Sequence, residues 1–292
     1  MANNHRLGNL LKLSIKIAVT GISLWFVSRK IDYALLYKTF LSTRPGWLLP
    51  ATILFLLSKI VSSYRLNLFF RSIHLGLSEK TNLQLYWMGM FYNIFLPGGI
   101  GGDGYKIYVL NKKFKIPVKK LFSAVLLDRI SGLMALFFLT ALLFVITFTK
   151  LSYIFIAISL IVTGILLLHF IYEKFFHAFA GVFYKTNIQG LAVQLLQVLC
   201  AWCLLKSTGI ENGHPAYLLV FLFSSVVAVI PFTIGGLGAR ELTFLLASQK
   251  LGLNAEQAVA VSLWFYIITL LVSLAGVVWI YRSPFQTETV SS

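Results

Sequence analysis

The strongest constraint on the fold is the length of the apolar segments in this sequence. Only 12% of the residues are charged, whereas soluble domains average roughly 25%. The hydrocarbon core offers no water to backbone N–H and C=O groups, so long apolar segments cross it as α-helices. The sequence therefore predicts an all-α polytopic membrane protein, with residues 1–292 as a single integral membrane domain. A span needs about 20 apolar residues, and six segments qualify: 10–28, 46–64, 121–147, 151–171, 188–206 and 255–281.

Two further apolar stretches, about 81–110 and 214–248, contain glycine-rich breaks. The first break is NIFLPGGIGGDGYK over residues 93–106, and the second is IPFTIGGLGARE over residues 230–241. Glycine interrupts a helix through its backbone freedom and proline through its missing N–H donor. We therefore predict that each stretch enters the membrane, turns at the glycines and leaves on the same side as a re-entrant hairpin.

The two breaks occupy equivalent positions in an internal repeat. A shift of 137 residues places Gly98 on Gly235, and the rest of the glycine-rich motif follows. We predict a first repeat unit over about 81–147 and a second over about 214–281. Three predicted spans lie between the breaks, and an odd number inverts the second unit relative to the first. Inverted repeats with broken helices near the midplane are a recurrent transporter design.

The breaks are candidate binding elements, because a helix end inside the membrane leaves unpaired N–H groups and a positive dipole end. Such ends suit an anionic headgroup. The alternative is that the glycines only allow helices to approach closely. A single break favours that alternative, whereas two breaks in register favour a functional site. Asn93 is expected to hydrogen-bond one of the broken helix ends.

Charged residues inside the apolar segments are expected to be paired, because a charge at the bilayer centre costs about 2.5–3.5 kcal/mol. We predict that Asp128 pairs with Arg240. Arg129 is expected to pair with Glu241 or with Asp103. The alternative is that such pairs connect the repeats and have a purely structural role.

Lys59 and Arg65 lie near the end of the second predicted span and are expected to extend toward the interface. Arg65 is the better placed of the two to contact a lipid phosphate. The candidate residues for lipid binding and translocation are Arg65, Asn93, Pro97, Gly98, Gly99, Gly101, Gly102, Asp103, Asp128, Arg129, Pro231, Gly235, Gly236, Gly238, Arg240 and Glu241.

No catalytic or metal-binding set emerges from the sequence. None of the five histidines has a metal-ligand spacing with a neighbour. Cys200 and Cys203 lie three residues apart in an apolar helical segment, where we expect them to pack rather than to form a disulfide. We therefore expect no enzyme activity, no cofactor and no metal.

The basic charge of the sequence is explained by membrane topology. Most of the Lys and Arg residues behind the net charge of +16 lie in short polar joints between apolar segments, where topology and anionic lipids account for them better than nucleic acid does. The predicted inner side holds more of them than the outer side, which places both termini in the cytoplasm. Residues 172–187, rich in aromatic side chains, are predicted to form a helix lying in the interface.

Three motifs together resemble a known family. They are Asn93-x-x-Leu-Pro-Gly-Gly-x-Gly-Gly-Asp103, Asp128-Arg129 and Gly235-Gly-Leu-Gly-x-Arg-Glu241. The sequence resembles the flippase-like membrane domain of the lysylphosphatidylglycerol synthase family over nearly its whole length. Many relatives carry Glu-Arg where this sequence has Asp128-Arg129. Many also fuse the domain to a soluble aminoacyl-transfer domain, which this sequence lacks, so the resemblance implies a stand-alone member without lysyl-transferase chemistry.

The resemblance implies a bacterial inner-membrane (or archaeal) protein that moves or holds a lipid. We expect a flippase-like transporter of an anionic or aminoacylated phospholipid, or of a related lipid. The alternatives are a membrane-embedded enzyme or accessory subunit acting on a lipid-linked sugar or phosphate in cell-envelope metabolism, and a scaffold for partner enzymes. The expected partners are a membrane phospholipid or lipid-linked substrate, and either further copies of the chain or a separate lipid-modifying enzyme; nucleic acid is not expected.

Overall fold

The computed structural model describes residues 14, 17–18, 21–22, 24–95, 101–229, 233, 236–281 and 285. No strand occurs among these residues. Residues 24–30 are helical. Twelve helices follow: α1 (Tyr33–Leu41), α2 (Pro45–Arg71), α3 (Glu79–Phe95), α4 (Gly101–Phe114), α5 (Val118–Phe148), α6 (Leu151–Phe175), α7 (His177–Ala180), α8 (Phe183–Ser207), α9 (His214–Val229), α10 (Ala239–Leu251), α11 (Ala255–Leu274) and α12 (Val277–Tyr281).

Five of the described helical segments are long and apolar enough to cross a membrane, namely α2, α5, α6, α8 and Ala255–Ile280. They confirm five of the six predicted spans, while most of 10–28 lies outside the described residues. Local signals set where these helices begin. Pro45 opens α2, where its missing donor costs nothing. The Asn254 side chain caps α11 by accepting a hydrogen bond from the backbone N–H of Gln257 at 2.8 Å.

The first glycine-rich stretch forms an antiparallel helical hairpin of α3 and α4. The Asn93 side chain at the end of α3 accepts a hydrogen bond from Gly102 N–H at the start of α4, at 2.9 Å. Further from this connection, the rings of Tyr92 and Tyr105 lie 4.5 Å apart, and Lys106 Nζ lies 4.9 Å from the ring centroid of Tyr86. With distance from the connection, the residue numbers fall along α3 and rise along α4, so the two helices are antiparallel. Both outer ends of the hairpin therefore lie on the same side.

The second glycine-rich stretch forms the equivalent hairpin of α9 and α10. Near its closed end, Arg240 Nη1 donates a hydrogen bond to the Ser225 hydroxyl oxygen at 3.2 Å. At its open end, the Asn254 N–H donates to the Tyr217 hydroxyl oxygen at 3.0 Å. The chain therefore reverses direction between α3 and α4 and between α9 and α10, as predicted. The re-entrant course of each hairpin in the membrane stays a prediction.

The described arms of both hairpins are too short to cross a bilayer alone. The longest arm, α3, has 17 residues, which is about 26 Å at 1.5 Å per residue, and the hydrocarbon core is about 30 Å thick. Short paired arms are what a re-entrant hairpin requires.

The helix bounds follow the 137-residue shift seen in the sequence. Helix α5 begins at Val118 and α11 begins at Ala255, 137 residues later. Three long helices, α5, α6 and α8, lie between the two hairpins. The division into repeat units 81–147 and 214–281 stays a prediction, with which these bounds agree.

The predicted interfacial helix over 172–187 is wrong. Helix α6 continues to Phe175, a four-residue helix follows, and α8 begins at Phe183. Tyr172 is fully buried, and its ring lies 5.0 Å from that of Phe183. Tyr172 and Phe183 therefore pack on each other at a tight connection between two long helices.

Candidate lipid-binding site

A polar cavity of about 350 Å³ lies between the closed ends of the two hairpins. Helices α2, α5 and α11 complete its wall. Each hairpin therefore brings its glycine-rich end to the same space. Its charged and polar lining residues are Lys59, Arg65, Tyr86, Asn93, Asp103, Lys106, Asp128, Arg129, Ser225, Thr233, Arg240, Thr269 and Ser273.

Asp103 is the centre of a charge cluster formed by the first hairpin and α5. Lys106 Nζ lies 2.9 Å from one carboxylate oxygen, and Arg129 Nε contacts the other. The prediction that Arg129 pairs with Asp103 is confirmed, and the alternative pairing with Glu241 is wrong. Because Asp103 lies in the first turn of α4 and Lys106 lies three residues later, the two are neighbours on the same helix face. Lys106 also lies over the ring of Tyr86 on α3, 4.9 Å from its centroid.

Asp128 pairs with Arg65 and not with Arg240, so that prediction is wrong. Arg65 Nε lies 2.7 Å from Asp128 Oδ1, with the two side chains 6% and 12% exposed. Arg65 therefore does not extend to the interface. The space for its guanidinium group comes from two glycines: a Cβ added at Gly132 or at Gly190 would lie 3.4 or 3.2 Å from Arg65 Nη1. These glycines, on α5 and α8, were not recognised in the sequence because their partner is distant along the chain.

Glu241 caps the start of α10 and does not line the cavity. It is 1% exposed, one carboxylate oxygen accepts Gly238 N–H at 2.7 Å, and the other accepts the Ser262 hydroxyl at 2.8 Å. Gly238 has φ of +83°, a backbone conformation that favours glycine. Its N–H and that of Gly102 donate to side chains of the protein. The expectation that these helix starts offer free donors to a headgroup is therefore wrong for these two groups, while the predicted role of Asn93 as a cap is confirmed.

Lys59 and Arg240 form the second cationic part of the cavity. Lys59 Nζ lies 4.5 Å from the centroid of Phe55, and Arg240 Cζ lies 5.0 Å from that of Phe265. The two rings contact each other edge to face, with centroids 5.5 Å apart. Within the described residues, neither cation has an ion pair with a carboxylate.

The predicted site residues divide into three groups. Seven line the cavity: Arg65, Asn93, Asp103, Asp128, Arg129, Gly236 and Arg240. Four of the others lie at the ends of α4 and α10 and do not line it: Gly101, Gly102, Gly238 and Glu241. Five lie outside the described residues: Pro97, Gly98, Gly99, Pro231 and Gly235.

Lys59 and Lys106 are the main lining residues that the sequence analysis missed. Lys59 was expected to extend toward the interface, but it lines the cavity. A signal was present, because Ser58, Lys59, Ser62 and Arg65 recur at helical spacing within an apolar segment. Such a polar stripe on a membrane helix faces protein or water rather than lipid.

The comparison with known families agrees with this architecture. The family model for the lysylphosphatidylglycerol synthase TM region matches residues 13–276. The chain belongs to this family. The matched range includes both hairpins and every helix that lines the cavity. No curated protein gives a significant match to the chain.

Proposed function

We propose that this family member moves a lipid between the two leaflets of the membrane, holding the headgroup in the polar cavity while the acyl chains stay in the bilayer. The substrate is an anionic or aminoacylated phospholipid, or a related lipid. The observation that carries the proposal is that the closed ends of both hairpins line one cavity. Membership of a lipid-related membrane family supports it.

The architecture supplies a reason for transport rather than static binding. Three long helices separate the hairpins, so the two hairpins enter from opposite sides if all three cross the membrane. A cavity between two inverted units reaches either leaflet when one unit moves against the other. The cavity is polar inside an apolar protein, so a headgroup crosses the hydrocarbon without losing all its polar contacts.

The charged groups favour binding over catalysis. Both carboxylates in the cavity are in ion pairs, Asp103 with Lys106 and Arg129, and Asp128 with Arg65. These carboxylates fix the positions of the cations that would face a headgroup. We propose accordingly that the protein acts as a transporter in the bacterial inner membrane, with both termini in the cytoplasm. A separate enzyme or a second copy of the chain is its proposed partner.

The proposal is tested by reconstitution into liposomes that contain a fluorescent phospholipid in both leaflets. A membrane-impermeant reductant bleaches only the outer leaflet, so leaflet exchange appears as loss of the remaining signal. We expect the purified protein to accelerate exchange. Lys106→Gln, which removes a cavity charge, is expected to slow exchange several-fold. Lys112→Gln is the matched control, because Lys112 is exposed near the end of the same helix. Exchange no faster than in protein-free liposomes contradicts the proposal.

A further inference from the structure

The charges that line the cavity do not cancel. Five cationic side chains line it, from Lys59, Arg65, Lys106, Arg129 and Arg240, against the two carboxylates of Asp103 and Asp128. The formal excess among the described lining residues is therefore three positive charges. An uncompensated charge in a low-dielectric setting is costly, so a cavity of this kind is suited to an anionic ligand.

The excess is concentrated on one part of the wall. Asp128 is paired with Arg65, and Asp103 is shared by Lys106 and Arg129. Lys59 and Arg240 have no ion pair with a carboxylate in the described structure. They line the same cavity and their ring partners, Phe55 and Phe265, contact each other, so the two like charges face the same space and repel each other. An anion between them would relieve that repulsion and gain a charge-assisted hydrogen bond from each.

Aromatic rings hold these two cations in place without neutralising them. Phe55 lies under Lys59 and Phe265 under Arg240. Phe265 also contacts Phe221 edge to face, with centroids 4.8 Å apart. Cation–π contacts stabilise a positive charge and leave its N–H donors available. A carboxylate in the same place would occupy those donors and compete with a ligand.

Two hydroxyl groups in the cavity wall have no hydrogen-bond partner among the described residues. Thr233 Oγ1 and Ser273 Oγ are buried and make no hydrogen bond within the described part of the chain. Both residues line the cavity. Buried hydroxyls without a partner are uncommon, and both are suited to donate to phosphate oxygens.

We propose that the cavity takes a lipid whose headgroup ends in a phosphate monoester or a diphosphate, and that Lys59 and Arg240 contact that phosphate. This rests on the proposed function, because it identifies the lipid that the same cavity would move. A phosphate monoester carries about −1.5 to −2 charges at neutral pH, and a diphosphate carries more. Either one matches the excess of three positive charges better than a phosphodiester with a single negative charge. An aminoacyl group would add positive charge where the cavity already has too much.

The inference is tested by calorimetric titration of the full chain in detergent with four short-chain probes. They are dihexanoyl phosphatidic acid, farnesyl diphosphate, dihexanoyl phosphatidylglycerol and the lysyl ester of that phosphatidylglycerol. At about pH 7 we expect the monoester and the diphosphate to bind at least about tenfold more tightly than the phosphodiester, and the lysyl ester to bind most weakly. At about pH 5 the monoester has lost most of its second charge. Its advantage over the phosphodiester should then nearly vanish.

Two variants assign the preference to the named cations. Lys59→Gln and Arg240→Gln are each expected to reduce the ratio of monoester to phosphodiester affinity to near one. Lys206→Gln is the matched control: Lys206 also lies over an aromatic ring, 5.8 Å from the centroid of Trp202, but it does not line the cavity. It should keep the wild-type ratio. The comparison of the wild-type protein at two pH values does not depend on the folding of any variant.

The outcomes separate this inference from the proposed function. Leaflet exchange with equal or tighter binding of the phosphodiester, or tight binding of its lysyl ester, overturns the inference and leaves lipid transport in place. A monoester preference that persists at about pH 5 also overturns it, because charge is then not the cause. Absence of both lipid binding and leaflet exchange contradicts the proposed function itself.

Discussion

At the scale of single residues, the buried pair of Arg65 and Asp128 is the contact whose loss should cost most. Asp128→Asn leaves the Arg65 charge without its carboxylate in a site where both side chains are nearly inaccessible. Breaking a buried pair in this way costs about 3–5 kcal/mol. The double variant Arg65→Met/Asp128→Leu is expected to recover most of that loss, because neither side chain is then charged. Equilibrium unfolding in detergent micelles measures both effects.

The exposed pair of Arg71 and Glu79 provides the control. Arg71 Nη2 and Glu79 Oε1 lie 2.6 Å apart, but the two side chains are 50% and 36% exposed. Glu79→Gln should therefore lower the free energy of unfolding by less than about 1 kcal/mol. A double-mutant cycle reports the coupling of Arg65 with Asp128 directly. Additive effects for that pair, or strong coupling of Asp128 with Arg240, would contradict the pairing of Asp128 with Arg65.

The sequence predicted that these residues matter but not which of them pair. The free-energy cost of placing a charged side chain in the bilayer is enough to indicate that Asp128 needs a partner. The choice of Arg65, 63 positions away, depends on how α2 packs against α5. The glycines at 132 and 190 leave the space for the guanidinium group of Arg65. This contact forms only when α2, α5 and α8 pack together, so the sequence does not predict it.

At the scale of elements, the first hairpin depends on a close approach between Gly89 and Gly102. A Cβ added at Gly102 would lie 1.9 Å from the backbone oxygen of Gly89. Backbone cannot move aside as a side chain can, so Gly102→Ala must separate α3 from α4. We expect a loss of at least the 1–3 kcal/mol typical of overpacking, measured as a lower Tm in detergent together with weaker lipid binding.

Gly104 in the same helix is the matched control. An added Cβ there meets nothing within 4 Å, and alanine favours a helix over glycine by about 1 kcal/mol. Gly104→Ala should therefore leave the Tm unchanged or raise it. Equal Tm values for the two variants would mean that α3 and α4 are not in close contact at Gly102.

Gly102 and Gly104 show what the sequence motif predicts and what it does not predict. Both lie in the predicted glycine-rich motif, and the hairpin was predicted from that motif. The motif alone does not distinguish a packing glycine from an exposed one, because that depends on the rotation of α4 against α3. The structure makes Gly102 a packing residue, as the alternative interpretation of the breaks proposed, while Gly236 lines the cavity.

At the scale of the whole molecule, the two-sided cavity requires that the hairpins open toward opposite faces of the membrane. Lys80 and Lys112 are exposed at the outer ends of the first hairpin, and Glu211 and Lys250 are exposed near those of the second. Cysteines placed singly at these positions, in a Cys200→Ala/Cys203→Ala background, report the side of each end. Both native cysteines are buried and free, so their replacement is expected to disturb only local packing.

We expect cysteines at 80 and 112 to react only from the cytoplasm, and those at 211 and 250 to react with an impermeant maleimide added to intact cells. The excess of Lys and Arg around the first hairpin's open end sets this orientation. If the two ends of one hairpin are labelled from opposite sides of the membrane, its two arms do not return to the same side. If all four positions react from the same side, the hairpins are not inverted. The cavity would then open toward one leaflet only, which favours a headgroup-binding accessory subunit or enzyme over a transporter.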